Sequence, residues 1–160
     1  DEHEKALTKY ALERFNDRKE ISVLGPKDPN DLENRLGVLC FNIEGLHNQL
    51  VSSILAAEGG IGVRSGCFCA HPYLKRLMKV TEKESDEMIQ NIVNGDKSEL
   101  PGAVRVSFGA YNTFEEINDL FVLLDKIIKR EYKGNYSVAK KYGTFFADGF
   151  DFKFADYFEL

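Results

Sequence analysis

Between Gly62 and Tyr73 the chain reads Gly-Val-Arg-Ser-Gly-Cys-Phe-Cys-Ala-His-Pro-Tyr, which gathers two of the three cysteines, one of the three histidines and an arginine among loop-shaping residues. A thiolate is the reactive form of cysteine, and a thiol beside Arg64 and polar backbone is better placed to ionise than one in an apolar strand. Three chemistries suit the cluster. Cys67 and Cys69 could act as nucleophiles, could be small side chains filling a turn, or could join His71 around a metal. No second ligand cluster exists to close a tetrahedral zinc site, so no metal is expected. A disulfide between Cys67 and Cys69 is disfavoured by its tiny ring. Cys40 lies in an apolar run and reads as a core thiol.

Arg105 is the second candidate. It stands in Ala103-Val-Arg-Val-Ser-Phe108, where Val104, Val106 and Phe108 share one face and Arg105 and Ser107 the other. A guanidinium fork matches a carboxylate bidentately. Taken alone, such an arginine reads as half of a structural salt bridge. Paired with a nucleophilic thiol, it supplies what an amino-acid substrate needs.

These side chains require elements to hold them. Ala6–Asn16 carries a helical apolar repeat, and Leu46–Glu58 carries another, stopped by Gly59-Gly60. Ile21–Leu24 and Leu36–Ile43 read as strands, the second apolar on both faces and hence buried. Ile61–Val63 is read as a short strand that delivers Arg64, and Tyr73–Val80 as a short helix. Ser85 is a candidate cap for a helix carrying Met88, Ile89 and Ile92. Thr113 with Glu116 forms a capping box that starts a helix reaching about Tyr132. Strands alternating with helices imply an α+β fold, a small sheet with helices packed on one face. Residues 133–160 form a separate aromatic-rich extension after a domain at 1–132. Its aromatics either cover the domain's own apolar surface or dock on a partner; their density favours docking, and Phe150–Phe154 alternates as a strand does.

At 160 residues, 43% hydrophobic and 29% charged, the chain fits one soluble globular domain. A net charge of −5 without a basic run argues against nucleic acid or an anionic membrane as partner. No stretch approaches a membrane span. The odd cysteine count suits a reducing cytosol, so a cytoplasmic location is expected. The chain opens on helix-like sequence without Met, which suggests part of a longer protein.

Arg64-Ser-Gly-Cys-Phe-Cys-Ala-His-Pro72 resembles the Arg-Thr-Gly-x-x-Cys-Ala-x-Pro segment of cysteine desulfurases and selenocysteine lyases, pyridoxal-phosphate enzymes of the class V aminotransferase fold. Val104-Arg-Val-Ser-Phe-Gly-Ala-Tyr-Asn-Thr113 resembles that family's Arg-x-Ser-x-x-x-Tyr-Asn-Thr segment, in the same order. The similarity spans about Glu4–Tyr132 and implies the family's C-terminal small domain. It places Cys69 at the persulfide-forming cysteine and Arg105 at the clamp for the substrate carboxylate, with Arg64 and His71 lining the loop. Cys67 stands where many relatives carry histidine, which leaves it a rival or auxiliary thiol. The reaction implied is L-cysteine to L-alanine, with sulfur left on the enzyme; a transaminase, lyase or epimerase of the same fold, or a non-catalytic module docking through its tail, are the alternatives. Pyridoxal phosphate would be held by a large domain upstream and by no residue of this chain, so these 160 residues alone are expected to be inactive. The resemblance also implies docking on that large domain, a homodimer in the full-length protein and a sulfur-acceptor protein as partner.

Overall fold

A computed structural model describes residues 2–33 and 35–149. The elements run α1 (Glu2–Asn16), β1 (Ile21–Leu24), β2 (Val38–Ile43), α2 (Asn48–Gly59), β3 (Arg64–Gly66), α3 (His71–Leu77), α4 (Glu82–Val93), β4 (Ala103–Ser107), α5 (Phe114–Ile128), β5 (Tyr136–Ala139) and β6 (Thr144–Ala147). Four strands form one antiparallel sheet in the order β1-β2-β4-β3, and β5 and β6 form a separate hairpin. The fold is α+β, as the alternation of elements implies.

One face of the sheet makes the core. Ile21, Val23, Leu39, Phe41, Ile43, Val104 and Val106 point inward and are buried. Against them lie Leu7, Ala11, Leu12 and Phe15 of α1, Val51, Ile54 and Leu55 of α2, and the stripe Ile117, Leu120, Phe121, Leu124, Ile127 of α5. That stripe recurs every three or four residues, which puts it on a single helix face. At the centre, the Phe15 ring packs on Phe41 at 4.8 Å and on Phe121 at 4.7 Å. Arg18 then fastens the end of α1 to α5, its Nε and Nη2 donating to the two Asp125 carboxylate oxygens at 2.6 and 2.8 Å.

The local signals explain most boundaries. Gly60 ends α2 at φ 63°, and Thr113 and Glu116 cap α5 reciprocally. Four expectations shift. Arg64 itself begins β3, and Ile61–Val63 leads into it outside any strand. Thr81, with Glu84 three residues on, caps α4 in place of Ser85. α5 stops at Ile128, capped by Lys129. Cys40 is half-buried and lies on the face of β2 opposite Leu39 and Phe41, so it is no core thiol.

The described part of the aromatic extension folds back over the domain. Ser53 Oγ of α2 donates to the Phe145 carbonyl at 2.6 Å, and the Phe145 ring lies 5.5 Å from that of His47. Glu58 accepts from the amides of Lys133 and Gly134 at 2.9 and 2.8 Å and from the Tyr136 hydroxyl at 3.1 Å. Gly143, at φ 70°, stands where a Cβ would come within 2.4 Å of the Lys97 carbonyl, so this contact requires glycine. Phe150–Phe154, read as a strand, lies outside the described residues. No described helix is long and apolar enough to cross a membrane.

Candidate active site

Antiparallel pairing sets Cys40 opposite Arg105, and Arg105 opposite Arg64. Directly paired residues present side chains on the same face. Leu24 pairs with Cys40 in turn, so Leu24, Cys40, Arg105 and Arg64 make one row across the sheet, on the face that the three core helices leave open. This arrangement follows from the strict alternation of β4, because burying Val104 and Val106 turns Arg105 outward.

β3 ends at Gly66, φ 110°, where the chain swings out of the sheet. Gly102 lets the start of β4 approach there: a Cβ on it would stand 2.7 Å from the Gly66 Cα. A four-residue turn follows, closed by the Ala70 amide donating to the Cys67 carbonyl at 2.8 Å. Both central residues, Phe68 at φ 52° and Cys69 at φ 60°, are left-handed. That is the signature of a type I′ turn, which ordinarily takes Asn and Gly. An L-side chain there costs roughly 1–2 kcal/mol. His71 then opens α3, with Pro72 in its first turn.

The turn sends its side chains different ways. The Phe68 ring lies against the Arg105 guanidinium, 5.1 Å from ring centre to Cζ. Cys69 is exposed at the tip. Cys67 is half-buried and donates to the Pro101 carbonyl at 2.8 Å. Burial pushes its thiol up, with Lys75 pulling weakly the other way, so Cys67 is held as a donor. It lines a cleft of about 200 Å³ with His71, Lys75, Met88, Ile92 and Pro101, under α4. The structure therefore brings Arg64, Arg105 and Phe68 together and places Cys69 beside them in sequence. Cys67 and His71 go to the cleft. Among the described residues no group of three His, Cys, Asp or Glu side chains is arranged to hold a metal.

Arg105 is half-buried, and its Nε is fully covered without an acceptor. A covered donor without a partner costs about 1–3 kcal/mol. Phe68 is the residue that inspection of the sequence passes over. Its only signal was its place between the two cysteines.

The aminotransferase class-V family model matches residues 1–120. A probable cysteine desulfurase of Halalkalibacterium halodurans is 33% identical over 84% of this chain and 26% of its own length. One of Halobacterium salinarum is 31% identical over 78% of this chain and 24% of its own. Among solved structures, the apo cysteine desulfurase of Thermococcus onnurineus NA1 superposes with a TM-score of 0.60 at 30% identity, covering 79% of this chain and 25% of that one. The chain thus spans about a quarter of the length of the curated relatives it matches.

Proposed function

This chain belongs to the aminotransferase class-V family, and from that premise we propose that it is the C-terminal small domain of a pyridoxal-phosphate-dependent cysteine desulfurase. The observation that carries the reading is the link between Arg105 and the cysteine turn through Phe68. Arg105 presents a planar guanidinium fork, with the centre of the Phe68 ring 5.1 Å from its Cζ. A substrate carboxylate held there lies beside the turn that carries Cys69. Cys69 takes up the sulfur: L-cysteine and the Cys69 thiol become L-alanine and the Cys69 persulfide, with no other reactant consumed. Its exposure at the tip also suits hand-over to an acceptor protein. Cys67, protonated and bonded to Pro101, serves the turn and does not carry sulfur.

Pyridoxal phosphate supplies the electron sink for this class of reaction. The arginine row does not fit it. Leu24, Cys40, Arg105 and Arg64 offer no amine for an imine and no carboxylate for a pyridine nitrogen. We place the cofactor on a large domain elsewhere in the full-length protein, on which this domain docks, in a homodimer. The 160-residue chain alone should release no alanine and develop no cofactor absorbance band. A band on adding pyridoxal phosphate, removed by replacing one lysine of this chain, overturns that.

The test of the reaction uses the full-length protein. Cys69→Ala should abolish alanine release from L-cysteine, Cys67→Ser should retain it, and Arg105→Ala should raise KM. Full activity of Cys69→Ala removes the role from Cys69. The same assay on L-selenocysteine and simple amino acids separates desulfuration from transamination, epimerisation or other lyase chemistry.

A further inference from the structure

The cleft of about 200 Å³ that Cys67 and His71 line plays no part in the reaction proposed above. One of its walls is α4. Thr81 and Glu84 cap this helix reciprocally, yet none of its residues is buried. A helix in a folded domain draws most of its stability from packing an apolar face. Met88, Ile89 and Ile92 form such a face at helical spacing, and all three line the cleft. Ile89 and Ile92 are nevertheless 48% and 39% exposed. The rest of the rim is anchored. Tyr142 and Gly143 bring the hairpin turn to the cleft. That turn is fastened to the chain after α4, where the Lys97 amide donates to the Lys140 carbonyl at 2.8 Å and Lys140 Nζ stands 3.0 Å from Asp96 Oδ2. Pro101 is held through its carbonyl by the Cys67 thiol. Anchored walls around an apolar lining are the form of a largely preformed ligand site.

The polar groups of the cleft carry one sign of charge. His71 and Lys75 stand one turn apart on α3, and both line it. Lys75 Nζ donates to Ser85 Oγ of α4 at 2.6 Å and keeps further N–H groups to offer. It forms no ion pair with a described residue. Among the described residues that line the cleft none is Asp or Glu, although the chain as a whole carries −5. An apolar wall beside an ammonium group without a counter-ion selects a ligand with an apolar body and one negative end.

We propose that this cleft binds a small monocarboxylate with an apolar tail, the carboxylate on Lys75 and the tail against Met88, Ile89 and Ile92. The volume lies below that of a drug-sized pocket, which limits the tail to a short chain. The site uses neither Arg105 nor Cys69, so it is distinct from the clamp for the substrate carboxylate.

The test is a methyl NMR titration of the full-length protein, labelled at Ile and Met, with hexanoate, hexan-1-ol, hexylammonium and acetate. Hexanoate should shift the Met88, Ile89 and Ile92 methyl resonances. It should bind about tenfold or more tightly than acetate, through its tail, and about fivefold or more tightly than hexan-1-ol, through its charge. Hexylammonium should bind no better than hexan-1-ol. Lys75→Gln should bring hexanoate down to the affinity of hexan-1-ol while leaving hexan-1-ol unchanged, and Lys75→Arg should keep the preference for the acid. Ile92→Ala should weaken hexanoate and hexan-1-ol together. Dispersion of the methyl spectrum checks that each variant is folded. Arg105→Ala should leave the titration at these three methyls unchanged. Equal affinity for hexanoate and hexan-1-ol, binding that Lys75→Gln leaves intact, or no shift at the three methyls overturns the proposal. Shifts that Arg105→Ala removes assign the carboxylate to the substrate clamp, which also overturns it while the desulfurase reading stands.

Discussion

Phe68 and Cys69 hold left-handed backbone that neither residue favours, at φ 52° and 60°. Glycine adopts that region freely. Cys69→Gly should therefore stabilise the domain by about 1 kcal/mol while deleting the thiol. A urea denaturation midpoint that falls instead removes the idea of strain at this position. Cys67 makes the opposite prediction. Its bond to the Pro101 carbonyl spans 2.8 Å, a length that a hydroxyl donor fills well. Cys67→Ser should leave stability within a few tenths of a kcal/mol, and Cys67→Ala should cost about 1 kcal/mol. Equal losses from both would show that the hydrogen bond contributes nothing. At this scale the sequence is half legible. The spacing of Cys67 and Cys69 marks a loop, and the alternation of β4 turns Arg105 away from the core. The divergence of the two thiols is hidden, because it depends on left-handed residues that are not glycine. Cys40 misleads for another reason: an apolar run does not say which of its faces has a helix to cover it.

Elements announced by caps are the ones that sequence reads well. Thr113 and Glu116 begin α5 as their spacing requires, and Gly60 ends α2. The folded-back hairpin is less legible, because its anchors are single contacts far apart in sequence. Glu58 is the main one. Burial alone pushes its carboxyl up, but the bonds from Gly134, Lys133 and Tyr136 outweigh this and hold it below the usual glutamate range. Tyr136 is pushed up to about 12 by burial and by the Glu58 charge. The signs differ in consequence. The carboxylate's contribution is present above the ordinary glutamate range and is lost as pH falls through the depressed value. That of Tyr136 is present below its ordinary value near 10 and is lost as pH rises towards about 12. The hairpin should thus loosen at both ends of the pH scale while the sheet stays paired. Amide resonances of Lys133 and Gly134 should titrate in acid below the usual glutamate range, and Glu58→Gln should remove that titration. Persistence of the transition in Glu58→Gln would assign it to another group.

The described residues form a one-sided sandwich, with helices on the face of Phe41 and arginines on the face of Cys40. Alternating elements predict the helical side well. The bare side stays hidden in the sequence, since Val38 and Leu36 look like core residues yet are 37% and 74% exposed. The charges separate in the same way. The net charge of −5 conceals a cationic face, so the local field opposes the overall one. Binding of a carboxylate at Arg105 should weaken as salt rises, although the net charge alone predicts the reverse. Affinity that is flat or strengthens with salt would show that the face exerts no field of its own. The sheet order also bears on how the domain keeps to itself. Among the described strands its two edges are β1 and β3, only four and three residues long. β3 carries Arg64 and breaks at Gly66. Short, charged and interrupted edges are poor templates for a strand from another chain. A domain whose described residues leave one sheet face uncovered is, along its rims, protected against polymerising through them.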